Sequence, residues 1–189
     1  AVTGKPEGIP GWLPGRNEST GYGVAECTVN LLDELGIDAA GARVAIQGFG
    51  NVGMNTAQFL FEKGITVLAI EDVSGIVYNP KGLDIPKLSD YARKNGTVNG
   101  FITNTNAPKD IFSLDVDILI PAAVGNVITK DNAGSITAKG IVEAANMPTH
   151  HSAEEILSKK GIKVIPDIIA NAGGVIASGE EYSKSLSAK

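Results

Sequence analysis

The chain has 189 residues, and 16 Lys and Arg residues against 21 Asp and Glu residues give it a net charge of −5. This acidic balance excludes non-specific binding to nucleic acid, which requires a basic surface. Hydrophobic residues make up 43% of the chain, enough for the core of a single domain of this length. No apolar run reaches the length of about 18 residues that a membrane-spanning helix needs. We therefore expect no nucleic-acid partner and no membrane partner.

Side chains typical of metal and redox sites are scarce. Cys27 is the only cysteine, which excludes an internal disulfide and a cysteine-based zinc site, and a reducing, cytoplasmic compartment is the simplest interpretation. Its place on the apolar side of a predicted helix favours a small buried hydrophobe over a nucleophile. His150 and His151 are adjacent. A metal site requires further ligands around the ion, so we expect solvated loop residues here and no metal.

Residues 1–18 are rich in Gly and Pro and predict an irregular lead-in, whereas helical and strand patterns alternate over 19–189. In chain order, we predict a helix from near Tyr22 to Gly36 that Ser19 or Thr20 caps, a strand at Arg43–Gln47, a helix at 52–63, a strand at 65–70, a helix at 85–94, a strand at 116–120, a short helix at 129–136, a strand at 141–144, a helix that opens with a capping box at 152–155, a strand at Lys163–Ile165, and a last helix from 172–174 towards Ser187. This alternation predicts an α/β fold with a doubly wound, mostly parallel sheet and helices on both faces.

The sharpest motif is Gly48-Phe49-Gly50-Asn51-Val52-Gly53, which fits G-x-G-x-x-G between a predicted strand and a predicted helix. Gly48 lets the chain turn sharply, Gly50 leaves room for a pyrophosphate, and Gly53 lets the helix pack close to the sheet. The N–H groups and the positive dipole end of the helix then face the phosphates. Such a turn can also be purely structural, but its β-α-β setting favours a Rossmann-like dinucleotide site.

An acidic pair, Glu71-Asp72, ends the next predicted strand. Asp72 lies near the spacing of about 20 residues at which a carboxylate accepts hydrogen bonds from the ribose 2′-hydroxyl. Such a carboxylate repels a 2′-phosphate, which favours NAD over NADP. NADP stays possible because Lys63 or Lys81 is free to lie nearby in the fold.

Four runs of residues in order carry a family resemblance. They are Gly15-Arg16-Asn17-Glu18-Ser19-Thr20-Gly21-Tyr22-Gly23, Gln47-Gly48-Phe49-Gly50-Asn51-Val52-Gly53, Glu143-Ala144-Ala145-Asn146-Met147-Pro148-Thr149, and Ile165-Pro166-Asp167-Ile168-Ile169-Ala170-Asn171-Ala172-Gly173-Gly174-Val175. Over nearly its whole length, the chain resembles the cofactor domain of the glutamate dehydrogenase family, which includes leucine, valine and phenylalanine dehydrogenases. Four motifs in order are far more specific than one glycine pattern.

The resemblance also implies residue roles. Thr20 would contact the nicotinamide carboxamide, Asn51 and Val52 the pyrophosphate, Ala122 and Ala123 the adenosine, Asn146 and Asn171 the nicotinamide end, and Ser178 the side-chain carboxylate of the substrate. Each polar group also has a plain structural alternative. Thr20 can cap a helix, either Asn can occupy a left-handed turn, and Ser178 can bond its own helix backbone.

The implied activity is oxidative deamination of L-glutamate to 2-oxoglutarate and ammonia, with NAD(P) as hydride acceptor. The family's catalytic Lys and Asp belong to a preceding substrate domain, so we expect no catalytic residue here, cofactor binding without turnover, and the amino-acid substrate only with that domain. A homo-hexamer is implied for the longer protein. The family commonly has two aromatic residues after the position of Ser178, but Gly179 and Glu180 stand here, which keeps leucine or valine open as substrates. A non-catalytic nucleotide-sensing domain is the alternative of a different class.

Overall fold

The structure is a computed structural model that describes residues 3–102 and 108–187. Residues 1 and 2 of the predicted lead-in, and residues 188 and 189 at the other end, lie outside the described residues. The helices are α1 (Ser19–Glu34), α2 (Asn51–Glu62), α3 (Ile85–Asn95), α4 (His151–Lys159), α5 (Asp167–Ala170) and α6 (Ala172–Ser187), and the strands are β1 (Arg43–Gln47), β2 (Thr66–Asp72), β3 (Gly75–Tyr78), β4 (Ile118–Pro121), β5 (Gly140–Val142) and β6 (Lys163–Ile165). None of the described helices combines the length and the apolar character needed to cross a membrane.

The six strands form one sheet in the order β3-β2-β1-β4-β5-β6. Every neighbouring pair is parallel except β2 and β3, which are antiparallel. The central strands are short apolar runs, and all four residues of β4 are buried. Such runs are typical of parallel strands that are covered on both faces.

Two apolar clusters cover the two faces of the sheet. One cluster combines the inward residues of α1, α2 and α3 with one side of the strands, including Leu31, Leu60 and Leu88. The other includes Phe112 and Leu157 and is built from α4, the loops before β4 and β5, and the opposite side of the strands. The predicted doubly wound α/β fold is therefore confirmed.

Strand order reverses at β1, because the chain continues from β1 to β2 on one side and later returns to β4 on the other. Crossovers on opposite sides leave a crevice at the carboxyl ends of the strands, where ligands bind in open α/β sheets. Gly48, Ala122 and Glu143 follow the last residues of β1, β4 and β5 at this edge.

Two predicted helix caps are wrong. Helix α1 begins at Ser19 and its N-cap is Glu18, so Thr20 lies inside the first turn. Helix α4 begins at His151, and the ring of His150 accepts a hydrogen bond from the N–H of Ser152 at the N-cap position. In both places the backbone enters the helix earlier than the Ser or Thr that local preference selected.

Other elements differ from the sequence prediction at polar residues. The helix expected at 129–136 is reduced to a single 3-10 turn at Ala133–Ser135. The Asn132 side chain accepts from Thr129 N at 2.7 Å and donates to Val127 O at 2.7 Å, and these bonds compete with a helix. Strand β3 and the four-residue helix α5 were both missed, because each is too short to show a period.

Of the two adjacent acidic residues on α6, Glu180 is exposed to solvent but Glu181 is not. Glu181 is fully buried, and its carboxylate accepts hydrogen bonds from Gly4 N at 2.5 Å and Lys5 N at 3.0 Å. Burial disfavours its charge, but these backbone donors and the nearby charges of Lys5 and Arg16 hold the pKa of Glu181 below its usual value. The irregular lead-in is thereby tied to the last helix.

Candidate functional site

The glycine-rich turn leaves β1 in a conformation that only glycine adopts readily. Gly48 has φ of 102°, and a Cβ there would lie 2.8 Å from the carbonyl carbon of Ala122. Its N–H donates to Glu71 O at 2.7 Å. The turn is therefore fastened between the ends of β2 and β4.

Helix α2 begins without a side-chain cap, since its N-cap residue is Gly50. A Cβ on Gly50 would meet nothing within 4 Å, so this face of the turn is open. A Cβ on Gly53 would instead stand 2.0 Å from Gly48 O, so the helix packs directly on the turn. The first-turn N–H groups of an uncapped helix lack partners within it and favour an anion.

Two predicted pyrophosphate residues have occupied side chains. Phe49 is 8% exposed and belongs to the core. The Asn51 amide donates to Asn17 O at 2.7 Å and accepts from Asn55 at 3.2 Å. At both positions, the main chain is the group left to contact a ligand.

A cleft of about 640 Å³ opens beside this helix start, at the carboxyl edge of the sheet. Seven residues that the resemblance singled out line it: Thr20, Val52, Ala122, Ala123, Asn146, Asn171 and Ser178. They come from α1, α2, α6 and the segments after β4, β5 and β6. The fold thus brings together residues that are distant in sequence.

The two asparagines meet in the wall of the cleft. Asn171 Nδ2 donates to Asn146 Oδ1 at 2.8 Å and to Ala144 O at 3.4 Å. Neither Asn is the left-handed turn residue considered above: Asn171 has φ of −96°, and the positive φ of 47° falls on Met147 instead. Within residues 3–102 and 108–187, no hydrogen bond engages Asn146 Nδ2.

Arg16 is a cleft residue for which the sequence suggested no role. It lines the cleft with Thr20 and Ser178, and its Nε is buried without a hydrogen-bond partner among the described residues. No hydrogen bond joins Ser178 to its own helix backbone in the described part of the chain, so its hydroxyl is available. The signal in the sequence was a cation four residues before Thr20, in the first of the four family runs.

The acidic pair at the end of β2 lies outside the lining of this cleft. Asp72 Oδ2 accepts from Val98 N at 2.8 Å, and Oδ1 accepts from Ser74 N at 2.7 Å and from the Ser74 hydroxyl. Burial favours the neutral acid, but these donors outweigh it and lower the pKa of Asp72. The carboxylate therefore also fastens the turn between β2 and β3.

Glu71 is in a different environment from Asp72. Burial raises its pKa, a hydrogen bond from Gln47 opposes that effect, and the charges of Asp110 and Asp72 add to it. The hydrogen bonds that fasten the β2–β3 turn are made by Asp72, so Glu71 is a second carboxyl group at the same strand end.

The remaining candidate side chains have structural surroundings. The rings of His150 and His151 lie 4.0 Å apart between centroids; His150 is the loop residue that caps α4, whereas the exposed His151 lies in the first turn of the helix rather than in a loop. Among residues 3–102 and 108–187, no group of three or more His, Cys, Asp or Glu side chains is placed to hold a metal ion. Burial raises the pKa of the partly buried Cys27 thiol, which disfavours the reactive thiolate.

Sequence comparison identifies relatives over nearly the whole chain. A family model described as Glutamate/Leucine/Phenylalanine/Valine dehydrogenase matches residues 11–189. Glutamate dehydrogenase A2 of Halobacterium salinarum is 48% identical over 182 residues, which cover 96% of this chain and 44% of that protein. Glutamate dehydrogenase of Thermotoga maritima is 47% identical over 191 residues, covering 98% and 45%. The chain spans less than half the length of these relatives.

Solved structures give the same picture for the fold. The hetero-hexameric glutamate dehydrogenase from Thermus thermophilus superposes with a TM-score of 0.89 at 32% identity, covering 98% of this chain and 44% of that chain. L-tryptophan dehydrogenase from Nostoc punctiforme superposes with a TM-score of 0.63 at 27% identity, covering 89% and 50%. Proteins named for different amino-acid substrates therefore share this architecture.

Proposed function

Because the chain belongs to the Glutamate/Leucine/Phenylalanine/Valine dehydrogenase family, we propose that residues 19–189 form the NAD-binding domain of such a dehydrogenase, with residues 1–18 as its lead-in. The observation that carries the proposal is the open start of α2 beside a cleft. Gly50 has no side chain and no neighbour within 4 Å of a Cβ. A diphosphate has room there to approach main-chain N–H groups at the positive end of a helix of 12 residues.

The pyrophosphate site is formed by the turn from Gly48 to Gly53. Asn51 and Val52 offer first-turn N–H groups, and Phe49 packs the turn onto the core. Ala122 and Ala123 line the cleft with only methyl side chains, which suits the flat faces of an adenosine. At the end of β2, Asp72 is our proposed acceptor for the ribose hydroxyls, with Glu71 beside it.

The opposite end of the cleft suits a nicotinamide. Thr20, Asn146 and Asn171 are neutral groups that donate and accept hydrogen bonds. Such groups bind a carboxamide and a ribose without placing charge beside the ring. Arg16 and Ser178 lie at the same cleft, and a guanidinium with a hydroxyl fits a carboxylate of the substrate.

NAD, when bound, supplies the hydride acceptor of the reaction. The residues of this chain hold the ring in the cleft, orient it through amide hydrogen bonds, and exclude water with the apolar walls at Val52, Ala122 and Ala144. None of the cleft residues of this chain is proposed as the proton-transfer group. Catalysis is proposed to depend on a Lys and an Asp from another part of a longer protein.

For that longer protein, the proposed reaction is oxidative deamination of L-glutamate to 2-oxoglutarate and ammonia, in a homo-hexamer in the cytoplasm. The relatives named for glutamate support this substrate. Leucine or valine is the alternative, because Gly179 and Glu180 follow Ser178 and the family fold also serves an enzyme named for tryptophan. NADP is the alternative cofactor.

Calorimetric titration of the 189-residue chain with NADH, NADPH and ADP tests the cofactor proposal. We expect NADH to bind more tightly than NADPH, with no turnover of glutamate. Gly50→Ala places a methyl group where the diphosphate would lie and is expected to weaken NADH binding by at least about tenfold. Gly134→Ala is the matched control, since its Cβ also meets nothing within 4 Å but lies far from the cleft.

Four results would count against the proposal. If the wild-type chain does not bind NADH at millimolar concentration, or if Gly50→Ala binds NADH as tightly as wild type does, the start of α2 is not the diphosphate site. Turnover of glutamate by this chain alone would show that catalytic groups lie within it. If the chain binds ADP as tightly as NADH, so that the nicotinamide half adds no affinity, a nucleotide-sensing domain would be favoured.

A further inference from the structure

Two chain segments are joined behind the cleft wall that carries Asn146 and Asn171. One segment follows β5 and contains Glu143 and Met147, and the other follows β6 and contains Asp167. Asn146 and Asn171 line the cleft, whereas Asp167 and Met147 do not. Whatever sets the geometry between these segments also sets the position of the two amides.

Asp167 is the residue that joins the segments. Its Oδ2 accepts from Met147 N at 2.7 Å, and its own N–H donates to Glu143 Oε2 at 3.1 Å. Oδ1 accepts from Ile168 N at 2.7 Å. Glu143 is only 7% exposed, so its carboxylate is a fixed anchor in the protein rather than a mobile surface group.

The peptide that Asp167 holds is in an unfavourable conformation. Met147 has φ of 47°, a left-handed geometry that is unfavourable for a residue with a side chain. Its side chain is 71% exposed, so packing does little to fix it. A charge-assisted hydrogen bond to the Met147 N–H opposes this cost and fixes the peptide group that directly follows Asn146.

We propose that Asp167 is a positioning residue, whose carboxylate fixes the Asn146–Met147 peptide and thereby aims the Asn146 amide at the nicotinamide end of the cleft. This inference rests on the proposed function. Asp167 does not line the cleft itself, so it would act on either half of a bound ligand only through Asn146 and Asn171, which do.

The test compares two ligands that differ only at that end. NADH and ADP-ribose share the adenosine and the diphosphate, but ADP-ribose lacks the nicotinamide. Calorimetric Kd values are measured for wild-type chain, Asp167→Ala, Asp167→Asn and Asp167→Glu. We expect Asp167→Ala to weaken NADH by about fivefold to tenfold, the equivalent of one hydrogen bond, with ADP-ribose changed less than about twofold.

Two further variants separate positioning from stability. Asn146→Ala is expected to weaken NADH binding more than ADP-ribose binding, as Asp167→Ala does. Adding Asp167→Ala to Asn146→Ala should weaken NADH binding little further, because the two substitutions remove the same interaction. Asp167→Asn keeps one acceptor oxygen without the charge and is expected to recover part of the NADH affinity. Asp90→Asn, on the exposed face of α3, is the matched control and should leave both ligands unchanged.

Equal weakening of NADH and ADP-ribose, or a lower melting temperature with both Kd values unchanged, would overturn the positioning role and leave a structural one. Additive losses in the double variant would also overturn it. Failure of wild-type chain to bind either ligand would instead sink the proposed function. If Asp167→Ala does not fold, Asp167→Asn decides the question with the same pair of ligands.

Discussion

Thr20 and Gly174 are in contact so close that no side chain fits between them. A Cβ built on Gly174 would lie 2.3 Å from Thr20 Oγ1. Both residues line the cleft, one from the start of α1 and the other from the start of α6. The position of the Thr20 hydroxyl therefore depends on the absence of a side chain at position 174.

Gly174→Ala is expected to push Thr20 out of place. Overpacking of this kind costs about 1–3 kcal/mol of the free energy of unfolding. We also expect NADH binding to weaken by about tenfold, because the hydroxyl that we propose contacts the nicotinamide moves. Thermal melts and calorimetric titration of the same variant measure the two effects.

Gly179→Ala is the control in the same helix. A Cβ at this position meets nothing within 4 Å, and alanine favours a helix interior by up to about 1 kcal/mol over glycine. It should raise the melting temperature slightly and leave NADH binding unchanged. If Gly174→Ala binds NADH as tightly as this control does, Thr20 is not a cofactor ligand.

A second prediction concerns the choice between NADH and NADPH. Asp72→Ser is expected to raise the Kd for NADH more than the Kd for NADPH, because it removes both the proposed ribose acceptor and a charge that would repel a 2′-phosphate. It should also lower the melting temperature, since Asp72 accepts hydrogen bonds from Val98 and Ser74. Titration with both cofactors and a thermal melt give the three values.

Glu71→Gln is the comparison that assigns this role. It removes one charge from the same end of β2 and leaves the hydrogen bonds of Asp72 in place. Burial raises the pKa of Glu71 in the folded protein, so ionising this residue destabilises the fold as pH rises from the usual pKa of a Glu through the raised value. The Glu71→Gln variant should therefore have a melting temperature no lower than that of wild type at neutral pH. If Asp72→Ser changes the Kd values of NADH and NADPH equally, Asp72 is not the ribose acceptor. If Glu71→Gln loses more of the preference for NADH over NADPH than Asp72→Ser does, the ribose acceptor is Glu71.

A third prediction concerns acid stability at the amino-terminal end of the sheet. Asp117 Oδ2 accepts from Arg43 N at 2.9 Å and Oδ1 accepts from Lys139 Nζ at 2.8 Å, which ties β1 to the starts of β4 and β5. Burial favours the neutral acid, but Lys139 and Arg43 outweigh it and hold the pKa of Asp117 below its usual value. The unfolded chain therefore takes up this proton first as the solution is acidified.

The stabilisation from Asp117 should be complete above about pH 4, the usual pKa of an unfolded Asp, and lost as pH falls through the folded value. Asp117→Asn should remove that pH dependence and lower the free energy of unfolding by about 1–3 kcal/mol at neutral pH. Urea unfolding curves at several pH values measure both. Asp115→Asn is the control, because it pairs with the same Arg43 but is 79% exposed, and it should cost less than about 1 kcal/mol.

The sequence was sufficient for the elements that repeat a local pattern. Strands β1 and β6 have the bounds that the sequence predicted, and α2 starts within one residue of its predicted position. Alternation of such elements identified the doubly wound sheet, because a parallel strand can reach its neighbour only through a crossover. Helix caps failed, since a cap depends on the backbone angles at which the chain arrives, which Thr20 and Ser152 do not determine.

In the candidate site too, some features could be predicted from the sequence and others could not. The glycine-rich turn could be predicted from the sequence, because each of its glycines is required by the steric conditions of the turn itself. Arg16 and Glu181 were not, since a cation in a loop and an acid on a helix have no periodic signal. Their roles follow from burial, and burial depends on which segments the fold packs above them.

By itself, the sequence determined the fold class, the family and the position of the turn that would receive a diphosphate, because these depend on residues close together in the chain. Only the tertiary structure decided that Asn146 pairs with Asn171, that Asp167 holds the peptide beside them, and that Asp72 also fastens its own turn. Those contacts join residues some 20 or more positions apart in sequence, and local sequence patterns do not encode such contacts. Hydrogen bonds are short and directional, so they are set only when the packed sheet and helices have brought their donors and acceptors into line.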